Sequence, residues 1–221
     1  MIIHDKNEMR SIKIRIPIND PARVIKNINL SQDEYDSILN AIKNAKNYEY
    51  PDGYYIKNGR IYIFEMFNVD YSNGPNKGSG LCQFYGSRKI QTHQIEIESR
   101  EAIVSKFLEP IKKHYKQIDG YKKGLLEKSG LEDARFKIVF VATSVMFPIY
   151  VLGEQKEFIP FFIEQIRDEL VKMREIDYFL YFNGTEIRDT GFIIKNDGNY
   201  ETYSKGISLG YNKIYDKIPI I

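Results

Sequence analysis

The chain has 221 residues, 43% of them hydrophobic and 14% aromatic, with a formal net charge of +2. That composition supports a packed core and excludes a disordered chain, while the slight basicity neither requires nor excludes nucleic acid. A single cysteine, Cys82, excludes an internal disulfide framework and a Cys-based zinc cluster, and the scattered His4, His93 and His114 argue against a His-rich metal site.

The N-terminal stretch MIIHDKNEMRSIKIRIPIND has no uninterrupted apolar run and no small-residue cleavage site, so no signal peptide is expected. The longest apolar run, Ile138 to Met146, is broken by Thr143 and Ser144 and is too short to span a bilayer. These features predict a cytoplasmic protein with no membrane partner. The length predicts one domain over residues 1–221, with no internal repeat.

Residues 11–18, SIKIRIPI, alternate apolar and basic side chains. That predicts a half-buried strand, with Pro17 setting it at an edge or strand end. Ser31 with Glu34 three positions on is a capping-box pair, and Tyr35, Ile38, Leu39 and Ile42 then share one helical face, which predicts a helix over 31–46. Residues 50–67, YPDGYYIKNGRIYIFEMF, place Asn58-Gly59 between runs rich in Tyr, Ile and Phe. This predicts a β-hairpin closed by a type I′ turn, whose central residues both need positive φ. Residues 71–80 read as a loop and 88–97 as a strand. From Ser99 to Glu127 the pattern is helical, with Ile103, Val104, Phe107, Leu108 and Ile111 in one stripe and Pro110 expected to start a new turn or kink the helix. FKIVFVATS (136–144) predicts a strand covered on both faces. A helix follows over 157–173 with Phe162, Ile163, Ile166 and Leu170 inward, then a strand over 178–183, then hairpins and a tail. The order predicts an α/β class: a mixed central β-sheet flanked by helices, with extra C-terminal hairpins.

The hairpin raises a chemical question. With Asn58-Gly59 as the turn, Lys57 pairs with Arg60, and counting outward sets Asp52 opposite Glu65. Period two then puts Asp52, Tyr54, Ile56, Ile61, Ile63, Glu65 and Phe67 on one face. Directly opposed Cβ atoms lie about 4.5–5.5 Å apart, where like charges repel. A protonated acid or a cation between the two relieves this, and Mg²⁺ is bound by one or two carboxylates plus substrate phosphates. The plainer reading is a pair of solvated acids at an exposed hairpin end, or a pair separated by a bulge after Gly53.

Pro51-Asp52 at the start of one strand, followed by Ile61-Tyr62-Ile63-Phe64-Glu65 on the next, resembles the motif of the PD-(D/E)xK nuclease superfamily. The resemblance covers roughly residues 31–145. It implies a restriction-endonuclease-like αβββαβ core, with 11–18 as an added strand and 146–221 as elaboration. It also implies phosphodiester hydrolysis of nucleic acid, DNA before RNA, with Mg²⁺ or Mn²⁺ held by Asp52 and Glu65. Asp70 is a candidate third ligand that needs a bend to reach them. The family's lysine belongs at the position of Phe67. Lys77 is the candidate replacement for charge stabilisation, and Lys89 lies on the next strand. Either the lysine has migrated or the fold has lost catalysis. Cutting both strands of a duplex would call for a homodimer. Glu34 has a family counterpart on the preceding helix, but its capping role is the simpler account.

Lys112, Lys113, Lys116, Lys122, Lys123 and Lys128, interleaved with Tyr115 and Tyr121, read as a phosphate-tracking face or as a solvated helix face. Lys89, Lys112, Lys116 and Lys123 are the nucleic-acid-binding candidates, and His93 and Gln94 are possible substrate contacts. GPNKGSG (74–80) lacks the P-loop spacing. Two functions follow: a Mg²⁺-dependent nuclease, or a non-enzymatic α/β interaction protein with a nuclease-like fold.

Overall fold

A computed structural model describes residues 21–69, 100–144, 155–185 and 188–205. The expected strands at 11–18 and 88–97, the loop at 71–80, and Asp70, Lys77, Lys89, His93 and Gln94 lie outside the described residues.

Two helices come first, α1 (Pro21–Asn27) and α2 (Gln32–Asn44). Ser31 caps α2 by accepting the Glu34 backbone N–H at 3.1 Å. The other half of the capping box is replaced. The Glu34 carboxylate accepts the Tyr178 hydroxyl instead and lies 3.8 Å from the Lys137 ammonium. Strands β1 (Lys46–Asn47), β2 (Gly53–Lys57) and β3 (Arg60–Asn68) then form an antiparallel meander. Helices α3 (Arg100–Tyr115) and α4 (Ile118–Ser129) precede β4 (Arg135–Ser144), and α5 (Gln155–Lys172) precedes β5 (Tyr178–Thr185). Strands β6 (Arg188–Lys195) and β7 (Tyr200–Lys205) form the C-terminal hairpin. The described strands make one seven-stranded sheet in sequential order. Strands β3, β4 and β5 are parallel, and the other neighbours are antiparallel. The class is α/β. Among the described residues no helix is long and apolar enough to cross a membrane.

Helices cover both faces. On one, Ile61, Ile63, Phe67, Ile138, Phe140 and Phe179 pack against Phe107, Ile111, Leu125, Ile163 and Leu170 of α3, α4 and α5. On the other, Tyr62, Phe64, Val139, Val141 and Leu180 pack against Val24, Ile28, Tyr35, Ala41 and Ile42. Strand β4 is therefore buried on both sides, which explains its continuous apolar run. Each fully buried aliphatic or phenyl side chain contributes about 1.5–3 kcal/mol by leaving water. Pro110 sits inside α3 without ending it; the helical segment instead divides between Tyr115 and Ile118. Asp177 joins α5 to the sheet, its two oxygens accepting the Lys137 ammonium and the Ile138 N–H at 2.8 Å each.

The hairpin turn is as the sequence requires: Asn58 and Gly59 have φ of 51° and 69°. Nothing lies within 4 Å of a Cβ built on Gly59. Gly59→Ala therefore meets backbone cost alone, and is expected to lose about 1–2 kcal/mol of stability, read as a lower urea midpoint.

Candidate functional site

The β2–β3 ladder runs without a bulge from Lys57↔Arg60 to Gly53↔Phe64. Asp52 is the next residue out, and there β2 ends. The chain turns away through a cis Tyr50–Pro51 bond, and the Tyr48 N–H closes the turn on the Asp52 carbonyl at 2.8 Å. The vacated edge of β3 is filled by the side chain of Asp52. Its Oδ2 accepts the Met66 backbone N–H at 2.6 Å, and the Asp52 N–H faces Glu65 Oε2 at 3.4 Å. The two acids are thus brought together, each bonded to the other's stretch of chain.

Glu65 is 5% exposed. Desolvating a carboxylate is costly unless donors surround it. Here α3 and α4 supply them. His114 Nδ1 donates to Oε1 at 2.6 Å, and the Tyr121 hydroxyl lies 2.6 Å from the same oxygen. Tyr121 also lies 2.6 Å from the Gln117 amide. A phenol has one O–H to donate; the carboxylate accepts that hydrogen bond, and the amide then turns its nitrogen to the phenol oxygen. Burial first, and the Glu65 charge next, push the Tyr121 phenol far above its ordinary value, so it stays a donor. Tyr50 packs edge-on against Tyr121 with ring centroids 4.5 Å apart.

Phe67, two residues beyond Glu65 on β3, is 8% exposed. It stacks on His114 with centroids 4.7 Å apart and planes 9° apart, and meets Phe140 edge-on at 5.7 Å. Among the described residues no lysine reaches Glu65; the nitrogen base there is the His114 imidazole. The sequence left His114 as a scattered residue and Tyr121 as part of a basic stretch. A signal was present: Ile111, His114, Ile118, Tyr121 and Leu125 follow alternating steps of three and four, so two polar groups interrupt an apolar stripe.

Among the described residues no group of three or more His, Cys, Asp or Glu side chains is arranged to hold a metal ion. The donors at hand are the Asp52 and Glu65 carboxylates. Hard oxygen ligands of this kind suit Mg²⁺ or Mn²⁺ completed by substrate phosphate.

The basic stretch divides in two. Lys112 pairs with Glu169 at 2.9 Å, Lys122 pairs with Glu175, and Lys128 lies over the Tyr48 ring at 3.6 Å. Lys113 on α3, Lys116 in the turn between α3 and α4, and Lys123 on α4 are exposed.

Two more buried phenols share the fate of Tyr121. Tyr35 is pushed up to about 12 by burial and then by the Asp36 charge, and Tyr178 is raised by burial and then by its hydrogen bond to Glu34. Their folded forms hold the proton more tightly than the unfolded chain does. The stability they confer is whole below an unfolded phenol value of about 10, and falls as pH rises beyond it, by roughly 1 kcal/mol per pH unit for each. The urea midpoint is expected to drop steeply above about pH 10, and less steeply in Tyr178→Phe.

Comparison of the chain with models of known families, with curated proteins and with solved structures finds no match.

Proposed function

We propose that the chain is a metal-dependent phosphodiesterase acting on nucleic acid, DNA in preference to RNA, of the PD-(D/E)xK kind. One observation carries this reading. Asp52, the residue just beyond the paired part of the hairpin, is tied to Glu65 through the main chain, the Asp52 N–H 3.4 Å from Glu65 Oε2 and the Asp52 carboxylate on the Met66 N–H. The order α2, β1, β2, β3, α3–α4, β4 supports it, since the family core runs αβββαβ.

Asp52 and Glu65 would hold the cation, which when bound lowers the pKa of a coordinated water and polarises the phosphoryl oxygen. The chain's own groups do the rest. Met66 N–H fixes the Asp52 carboxylate. His114 and Tyr121 fix Oε1 of Glu65, leaving Oε2 toward Asp52. His114 is the nearest group able to offset negative charge developing beside Glu65. The exposed Lys113, Lys116 and Lys123 extend positive charge from this point along a phosphate backbone.

Plasmid and single-stranded DNA incubated with Mg²⁺ or Mn²⁺ test the reading. Cleavage that requires the metal and drops by about 100-fold or more in both Asp52→Asn and Glu65→Gln is expected. Cleavage that survives unchanged in both variants would overturn it. A second reading rests on Phe67, whose burial between His114 and Phe140 closes the usual lysine position: a nuclease-like fold that binds without cutting. Retained DNA binding with no cleavage by the wild type would favour that reading.

A further inference from the structure

A second constellation lies at the other end of the hairpin. Lys57 of β2 pairs with Arg60 of β3, and Arg60 pairs in turn with Arg135 of β4. Residues paired in register share a face, and neighbouring strands lie about 4.8 Å apart. Three cations therefore stand in a row across three strands. Among the described residues, no acid forms an ion pair with any of them. The Arg135 N–H bonds the Gly59 carbonyl at 3.0 Å, which ties the turn to β4 and fixes the row.

The row forms a wall of a cleft of about 650 Å³, completed by Ser37 and Asn40 of α2, Tyr55, Tyr62 and the lone acid Asp133. Asn40 is held by the Tyr55 hydroxyl at 3.2 Å. Glu34, whose charge acts on Arg60, is already engaged by Tyr178 and Lys137. Like charges opposed across strands are destabilising by themselves. A bound polyanion removes that repulsion, and guanidinium groups match phosphate through paired N–H donors.

We propose that this cleft binds a phosphate-bearing small molecule of nucleotide size. The concave shape and the volume of about 650 Å³ fit a single small ligand, where a polymer backbone is tracked by an extended stripe. This site is distinct from the carboxylate pair. Arg60 lies about 17 Å from Glu65 along β3, and the two side chains point to opposite faces of the sheet. The proposal does not depend on the phosphodiesterase reading.

Calorimetric titration of the full chain with inorganic pyrophosphate, with ATP and with a short DNA duplex tests it. The expected result is binding of pyrophosphate and ATP by the wild type. Arg60→Gln and Arg135→Gln should each weaken it about tenfold or more, and Asp133→Asn should tighten it. Lys43→Gln, an exposed cation elsewhere on α2, should leave it unchanged. The Asp133→Asn gain guards against misfolding, since a damaged variant does not bind more tightly. Absence of binding to both small phosphates would overturn the proposal, as would equal weakening by Lys43→Gln. Binding of the duplex alone, lost in the arginine variants, would replace it with a backbone contact.

Discussion

Glu65→Ala is expected to lower folding stability by about 2–4 kcal/mol. The carboxylate is buried and accepts from His114 and Tyr121 while facing the Asp52 N–H. Removing it leaves the imidazole N–H and the phenol facing an apolar gap, and each unsatisfied buried donor costs about 1–3 kcal/mol. Gln117 recovers part of this by keeping its contact with Tyr121. Glu65→Gln keeps the shape and one acceptor oxygen, so its loss is expected to be about 1 kcal/mol. Urea denaturation of the three proteins at neutral pH separates these values. A Glu65→Ala variant as stable as the wild type would mean that the donors around Glu65 find water.

Phe140→Ala is expected to cost about 3–5 kcal/mol, a large share of the roughly 5–15 kcal/mol that holds a domain folded. Phe140 is fully buried at the centre of β4, where close packing on both faces limits collapse into the cavity. It also backs Phe67, which in turn backs His114. The variant therefore loosens the imidazole as well as the core. A fall in thermal midpoint with a matching loss of hydrogen-exchange protection in β3 and β4 is the expected observation. A loss below about 1 kcal/mol would show that the core relaxes around the gap.

Much of the hairpin was legible because its signals are local. Asn58-Gly59 dictates the turn and period two dictates the faces as far as Gly53↔Phe64; the departure of Asp52 from the ladder onto the Met66 N–H was not legible. The continuous apolar run of β4 likewise announced burial on both faces. Helix α1 was not foreseen, being short and held by apolar contacts to the sheet made by Val24 and Ile28. The partners of Glu65 come from helices far along the chain, so no spacing near the motif reveals them. The same holds for Lys112 and Lys122, whose acids lie on α5 and just beyond it. The row of Lys57, Arg60 and Arg135 needed the parallel register of β3 with β4, which the sequence does not encode locally. Glu34 shows the limit of a motif: its capping-box spacing is real, yet Tyr178 and Lys137 take its carboxylate.

The central claim is that Asp52 and Glu65 together hold a divalent cation. Titrating the protein with Mn²⁺ and following the free ion by electron paramagnetic resonance tests this without knowledge of the substrate. The account predicts saturable binding at one site per chain, weakened about tenfold or more in each of Asp52→Asn and Glu65→Gln while both variants stay folded. Wild-type protein that leaves the Mn²⁺ signal unchanged, or equal binding by all three proteins, would contradict it.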